Sequence, residues 1–143
     1  MVNPEVIHSL LSNLRRYLER LRLLAAASPE EFLADFTKVE SAKYLLQVSI
    51  GCCLDIAQHI VADEGYGTPS SYYETFVLLS EHGVLPSDFL PVLRNMVSFR
   101  NRLVHLYWEV DDRVVYQILQ ENLGDFEKYI GYIVNFMQRE VTQ

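Results

Sequence analysis

Apolar residues along this chain recur at spacings of three and four, the mark of helices buried on one side. After an Asn3-Pro4 pair suited to an N-cap and a first helical position, Val6, Ile7, Leu10, Leu11, Leu14, Leu18 and Leu21 carry a first helix to about Ala26. Ser28-Pro29-Glu30-Glu31 has the form of a capping box and predicts a short second helix over roughly 29–35. A similar box, Thr37-Lys38-Val39-Glu40, predicts a long third helix through Val39, Ala42, Leu45, Leu46, Ser49, Cys53, Ile56 and Ile60, closed by the Asp63-Glu64-Gly65 turn. Gly51 lies inside it. A helical glycine costs up to about 1 kcal/mol relative to alanine, so close approach of another helix is the expected compensation. Ser71-Tyr72-Tyr73-Glu74 predicts a fourth helix through Phe76, Leu78 and Leu79 that Gly83 stops. Pro86-Ser87-Asp88 starts a fifth, with Pro91 near its first turn and a helical pattern that continues to Trp108. Acids at Glu109, Asp111 and Asp112 then suit the start of a last helix, expected from Asp112 to about Glu140 with Asn122 on its buried side. Gly124 and Gly131 on that helix share a face open to close packing. No segment has the period of a strand. The expectation is one domain over residues 1–143, an all-α antiparallel helical bundle of about five to six helices.

The fifth helix does not fit the pattern cleanly. At about 100° per residue, Leu93, Val97, Arg100, Val104 and Tyr107 form one stripe, which puts a guanidinium in the middle of an apolar face. A second apolar patch, Phe99 and Leu106, lies on nearly the opposite side. A helix apolar on two sides is central in a bundle or shared with a second subunit. A homodimer with this helix near its two-fold axis brings two copies of Arg100, His105 and Tyr107 together.

Charge sharpens the oddity. Lys and Arg number 12 against 19 Asp and Glu, a net charge of −7, which argues against non-specific coating of nucleic acid. Yet no Asp or Glu occurs between Phe89 and Trp108, and the first helix carries Arg15, Arg16, Arg20 and Arg22. Cys52 and Cys53 are adjacent, a spacing that suits neither zinc nor a disulfide framework, so they are expected to be core thiols of a reducing compartment. With no signal peptide and no run of eighteen apolar residues, a cytoplasmic protein without a membrane partner is expected.

Arg plus His is the combination that cleaves a phosphodiester without a metal. An imidazole takes the proton of a ribose 2′-OH and returns one to the leaving oxygen, and a guanidinium fork holds the non-bridging oxygens as their charge grows. Arg100 and His105 are the candidates. Spacing alone favours a plainer reading, a buried structural Arg100 paired with an acid such as Asp55 and a His105 that caps a helix C-terminus. His59, four residues after Asp55, suits a helical pair; His8 and His82 have no ligand partners in sequence, and neither a metal nor a cofactor is expected. The tyrosines Tyr66, Tyr72 and Tyr73 are expected to pack over one end of the bundle.

The run Arg100-Asn101-Arg102-Leu103-Val104-His105-Leu106-Tyr107 resembles the HEPN signature: Arg, a polar residue, three positions, His, one position, Tyr. The flanking Gly51-Cys52-Cys53-Leu54-Asp55-Ile56-Ala57, Ser71-Tyr72-Tyr73-Glu74-Thr75-Phe76, Gly83-Val84 and Trp108-Glu109-Val110-Asp111 resemble the HepT toxin family across nearly the whole chain. The resemblance implies a homodimeric, metal-independent endoribonuclease of a type VII-like toxin–antitoxin pair, acting on RNA in a cleft between subunits. It implies Arg100 and His105 as catalytic, Asn101 and Tyr107 as supporting residues, and Arg94 and Arg102 as RNA-binding candidates. It further implies an MntA-type nucleotidyltransferase antitoxin that neutralises the toxin by AMPylation of Tyr107. The alternative it leaves is a non-catalytic HEPN module that partners a minimal nucleotidyltransferase. Arg100 and Tyr107, seven apart, share a helical face, whereas His105 projects about 140° from Arg100. A second subunit, or an unwound helix end near Trp108, has to close that gap.

Overall fold

The computed structural model describes residues 1–142, which form seven α-helices and, among the described residues, no strand. The first, α1, spans Pro4–Ala25; Asn3 accepts the Glu5 amide at 3.0 Å, and Ile7, Leu11, Leu14, Leu18 and Leu21 form its buried stripe. The short α2, Pro29–Ala34, is capped by Ser28, which accepts from the Glu31 amide at 3.2 Å.

The centre of the bundle is α3, Phe36–Glu64, which packs against α1 and α2 and against the later helices. Its start differs from the expected capping box at Thr37. Asp35 closes α2, with its N–H donated to Phe32, and caps α3, its carboxylate accepting the Thr37 amide at 2.9 Å. A carboxylate two residues upstream satisfies the free amides before the threonine can. Over an 18-residue window α3 has a mean hydropathy of 1.5, long and apolar enough to cross a membrane by composition. Most of that window is buried inside this bundle, as expected of a helix apolar all round. Gly65, with φ +68°, ends it through the Tyr66 amide donating to Val61 at 3.0 Å.

The helices that follow pack around α3. Helix α4, Tyr72–Glu81, is capped by Ser71, and Gly83 at φ +77° follows its end. A 3-10 turn over Ser87–Phe89 leads into α5, Leu90–His105. The expected last helix is two: α6, Asp112–Glu121, and α7, Leu123–Thr142. They separate at Asn122, which is exposed rather than buried; its amide closes α6 onto Ile118, and its side chain reaches Asp125 at 3.4 Å. A short amide side chain competes with the helix ladder for such bonds. The count therefore rises to seven. Nor do the helical glycines mark close packing. A Cβ built at Gly51, Gly124 or Gly131 meets nothing within 4 Å.

Both cysteines are free and buried. Burial, with the nearby Asp55 charge, pushes the Cys52 thiol up to about 11, and burial raises Cys53 well above the ordinary value. They pack as small apolar residues. The fully buried Tyr129 of α7 donates its hydroxyl to the Cys53 carbonyl at 2.7 Å, tying α7 to α3.

Candidate active site

Leu93, Val97 and Leu103 anchor α5 to the core, and the polar residues emerge around them. Arg100 and Asn101 are half-buried, while Arg94, Arg102 and His105 are exposed. Val104, expected on the buried stripe, is 40% exposed. Leu103 takes the inward position instead. Phe99 is half-buried beside a cleft lined by Ile50, Met96, Ile118 and Phe126, whereas Leu106 lies beyond the helix and is exposed, so the two form no common patch.

Arg100 is held without being neutralised. Its guanidinium lies 5.2 Å from the centre of the Tyr72 ring, and Nη1 donates to Asn101 Oδ1 at 3.4 Å. Among the described residues no carboxylate lies within 4.0 Å of it, so the alternative pairing with Asp55 does not form. An aromatic face attracts a guanidinium by about 0.5–1 kcal/mol at such a site and leaves its N–H fork free for an anion. Arg94 repeats the arrangement 4.6 Å from the Tyr73 ring. Two of the clustered tyrosines thus serve as platforms for arginines of α5. The third, Tyr66, stacks on His82 at 3.9 Å. Beside Tyr72 an open hollow of about 580 Å³ is bounded by Gln58, Ser70, Ser71 and Asn101.

The helix stops before Tyr107. The Leu106 amide still donates to Arg102 at 2.8 Å, but Leu106 itself, at φ −135° and ψ 43°, has left the helix. Tyr107–Glu109 form a 3-10 turn, braced by Arg102 donating to the Glu109 carbonyl at 3.5 Å, and Val110 buries just beyond. Asp111 then accepts the Arg113 amide and caps α6. The unwinding begins only after His105, so it does not close the angle between Arg100 and His105, and it separates Tyr107 from the face it was expected to share with Arg100. The half-buried Tyr107 turns toward α3, where its hydroxyl donates to the Glu40 carboxylate and Lys43 Nζ lies 4.7 Å from its ring centre. Lys43 is only 5% exposed and pairs with Asp112 at 3.0 Å. Burial, then the Glu40 bond and charge, push the Tyr107 hydroxyl well above the ordinary tyrosine pKa.

Within one chain, then, Arg100, Asn101 and Tyr72 form one group and Tyr107, Glu40, Lys43 and Asp112 another. His105, the last residue of α5, is exposed and has no hydrogen-bond or ion-pair partner among the described residues; the cap bond considered for it is absent. The expected Asp55–His59 contact is likewise absent among the described residues. No three His, Cys, Asp or Glu side chains among them group as metal ligands. Next to Tyr107, Trp108 is 77% exposed. Sequence reasoning missed Glu40, Lys43 and Asp112 because two helices, α3 and α6, bring them to a turn outside both. The one available signal was Lys43 on the stripe Val39, Ala42, Lys43, Leu46.

Comparison with known proteins matches residues 14–133 to the family described as Ribonuclease HepT-like. The mRNA nuclease HepT of Shewanella oneidensis is 30% identical over 129 residues, covering 90% of this chain and 96% of that protein. The tRNA nuclease HepT of Aphanizomenon flos-aquae is 25% identical over 136 residues, 95% of this chain and 92% of that one. In structure, the tri-AMPylated Shewanella oneidensis HEPN toxin in complex with MNT antitoxin superimposes with a TM-score of 0.85 at 29% identity, over 93% of this chain and 99% of that one. The matched region contains all the site residues named above, and the chain belongs to the HepT-like ribonuclease family, with the HEPN fold.

Proposed function

We propose that this protein is the toxin of a toxin–antitoxin pair, a metal-independent endoribonuclease in which Arg100 and His105 carry the chemistry. The observation behind it is the Arg100 guanidinium, half-buried, oriented by Tyr72 and Asn101, and opposed by no carboxylate among the described residues. A cation fixed in that way is preorganised for a phosphate. His105 takes the proton of a ribose 2′-OH as that oxygen bonds to phosphorus. The bond from phosphorus to the 5′ oxygen breaks, and the leaving alkoxide receives a proton from a second imidazole. One chain carries one histidine at this place, so the second comes from another copy across a homodimer cleft. Exposed Val104, Leu106 and Trp108 at the end of α5 supply apolar surface for that contact.

The same reading makes Tyr107 the target of AMP transfer by a nucleotidyltransferase antitoxin, with the complex in the cytoplasm. The AMP phosphodiester adds bulk and negative charge close to the cleft and competes with RNA for it. Asn101 supports Arg100, and Arg94 and Arg102 contact RNA phosphates.

Expression without the antitoxin tests the proposal. Wild type is expected to slow growth and cleave RNA in the presence of a chelator, and Arg100→Ala and His105→Ala are expected to do neither. Equal toxicity of all three, or cleavage that the chelator abolishes, overturns it. A wild type that cleaves nothing but still accepts AMP from its partner favours the non-catalytic module.

A further inference from the structure

Lys43 is the most deeply buried cation of the described residues, and the cleavage chemistry has no use for it. It does not stand alone. Three residues apart on α3, Glu40 accepts the Tyr107 hydroxyl and Lys43 lies against the Tyr107 ring, while Asp112 at the start of α6 holds the Lys43 ammonium at 3.0 Å. Three charged groups from two helices thus converge on one phenol. Glu40 is exposed and Tyr107 half-buried, so the bonded pair is open to a partner from solvent.

A phenol is a poor nucleophile while it keeps its proton, and this one holds it firmly, since burial and Glu40 raise its pKa. A carboxylate hydrogen-bonded to the hydroxyl is the usual remedy, because it removes the proton as the new bond forms. A buried ammonium at the ring face stabilises the charge that builds on the phenol oxygen.

We infer that this chain supplies its own general base for its modification: Glu40 accepts the Tyr107 proton during nucleotidyl transfer, and the Lys43–Asp112 pair positions the ring. The inference rests on Tyr107 being the modified residue. In the step, Tyr107 Oη forms a bond to the α-phosphorus of a nucleoside triphosphate, and the bond from that phosphorus to the bridging oxygen breaks. Pyrophosphate leaves with the electron pair, and the phenol proton passes to Glu40. The toxin is then no passive substrate. It carries half of the acid–base machinery that silences it.

The test is the rate of AMP gain by intact mass, using the full-length protein, its cognate nucleotidyltransferase and ATP with magnesium. Glu40→Gln is expected to slow transfer by about 100-fold or more, with a rate that climbs as pH rises because hydroxide replaces the lost base. Glu40→Asp is expected to recover most of the rate, and circular dichroism on each variant verifies the fold. Lys43→Gln is expected to lower kcat for transfer with the KM for ATP unchanged. A Glu40→Gln protein modified at the wild-type rate across the pH range, with Tyr107→Phe unmodified, overturns the role of Glu40 alone. A wild type that gains no AMP, or a Tyr107→Phe protein that gains it equally, overturns the choice of Tyr107 and the inference with it.

Discussion

Two of the cations that this protein sets against tyrosine rings, Lys43 on α3 and Arg100 on α5, are held differently. Lys43 is buried, with Asp112 at 3.0 Å and the Tyr107 ring at 4.7 Å. Arg100 is half-buried over Tyr72, with an amide oxygen as its nearest polar partner. In the first group the charge is balanced within the chain, and the assembly orients a phenol. In the second it is left open, and the counter-ion has to come from outside. What separates the two cations is a carboxylate partner, since the aromatic contact is common to both.

The largest effect expected from breaking this contrast is on cleavage. Arg100→Ala should lower kcat/KM for RNA by roughly 10²–10³-fold, as loss of a preorganised anion-binding group does, while chemical denaturation shows stability changed by less than about 1 kcal/mol. Several kcal/mol of lost stability would mean that Arg100 is a core residue like Lys43. The reverse pattern is expected of Asp112→Ala. It leaves the Lys43 ammonium buried and unpaired, and urea melts should register a loss of about 2 kcal/mol, below the full cost of a buried pair because the Asp112 side chain is 48% exposed. Lys43→Met, which removes the charge and keeps the stem, should cost less than Asp112→Ala.

Smaller again is the platform. Tyr72→Leu removes the ring beneath Arg100 and should cost about 0.5–1 kcal/mol in transition-state stabilisation, read as a several-fold fall in cleavage with folding intact. At the bottom of the scale, Arg94→Ala and Arg102→Ala should each weaken RNA binding modestly and lower the slope of log K against log salt by about one phosphate contact. A salt slope unchanged in both would remove them from the RNA path.

The helices were written in local patterns. The leucines of α1 fall at three and four because that spacing lines one side of a helix, and no tertiary contact overrode it. The divide between α6 and α7 was hidden because Asn122 falls at a position of the amphipathic pattern where a buried residue was due, and its side chain decides the geometry. For the site, the Arg100–His105 spacing was visible because both sit on one helix. The environment of Tyr107 was not. Its helix ends at His105, two residues before it, and its partners Glu40 and Lys43 lie on α3, far off in sequence. Lys43 gave the only hint, a charge on an apolar stripe of the kind that drew attention to Arg100.

Trp108 gives that unwound turn a practical use. The chain contains a single tryptophan, and it stands almost bare beside Tyr107. Its emission therefore reports solvent at one residue, in the unlabelled protein. A second copy or an antitoxin that covers the turn should shift that emission to shorter wavelength and shield it from iodide quenching. Concentration and partner titrations can then be followed with light alone.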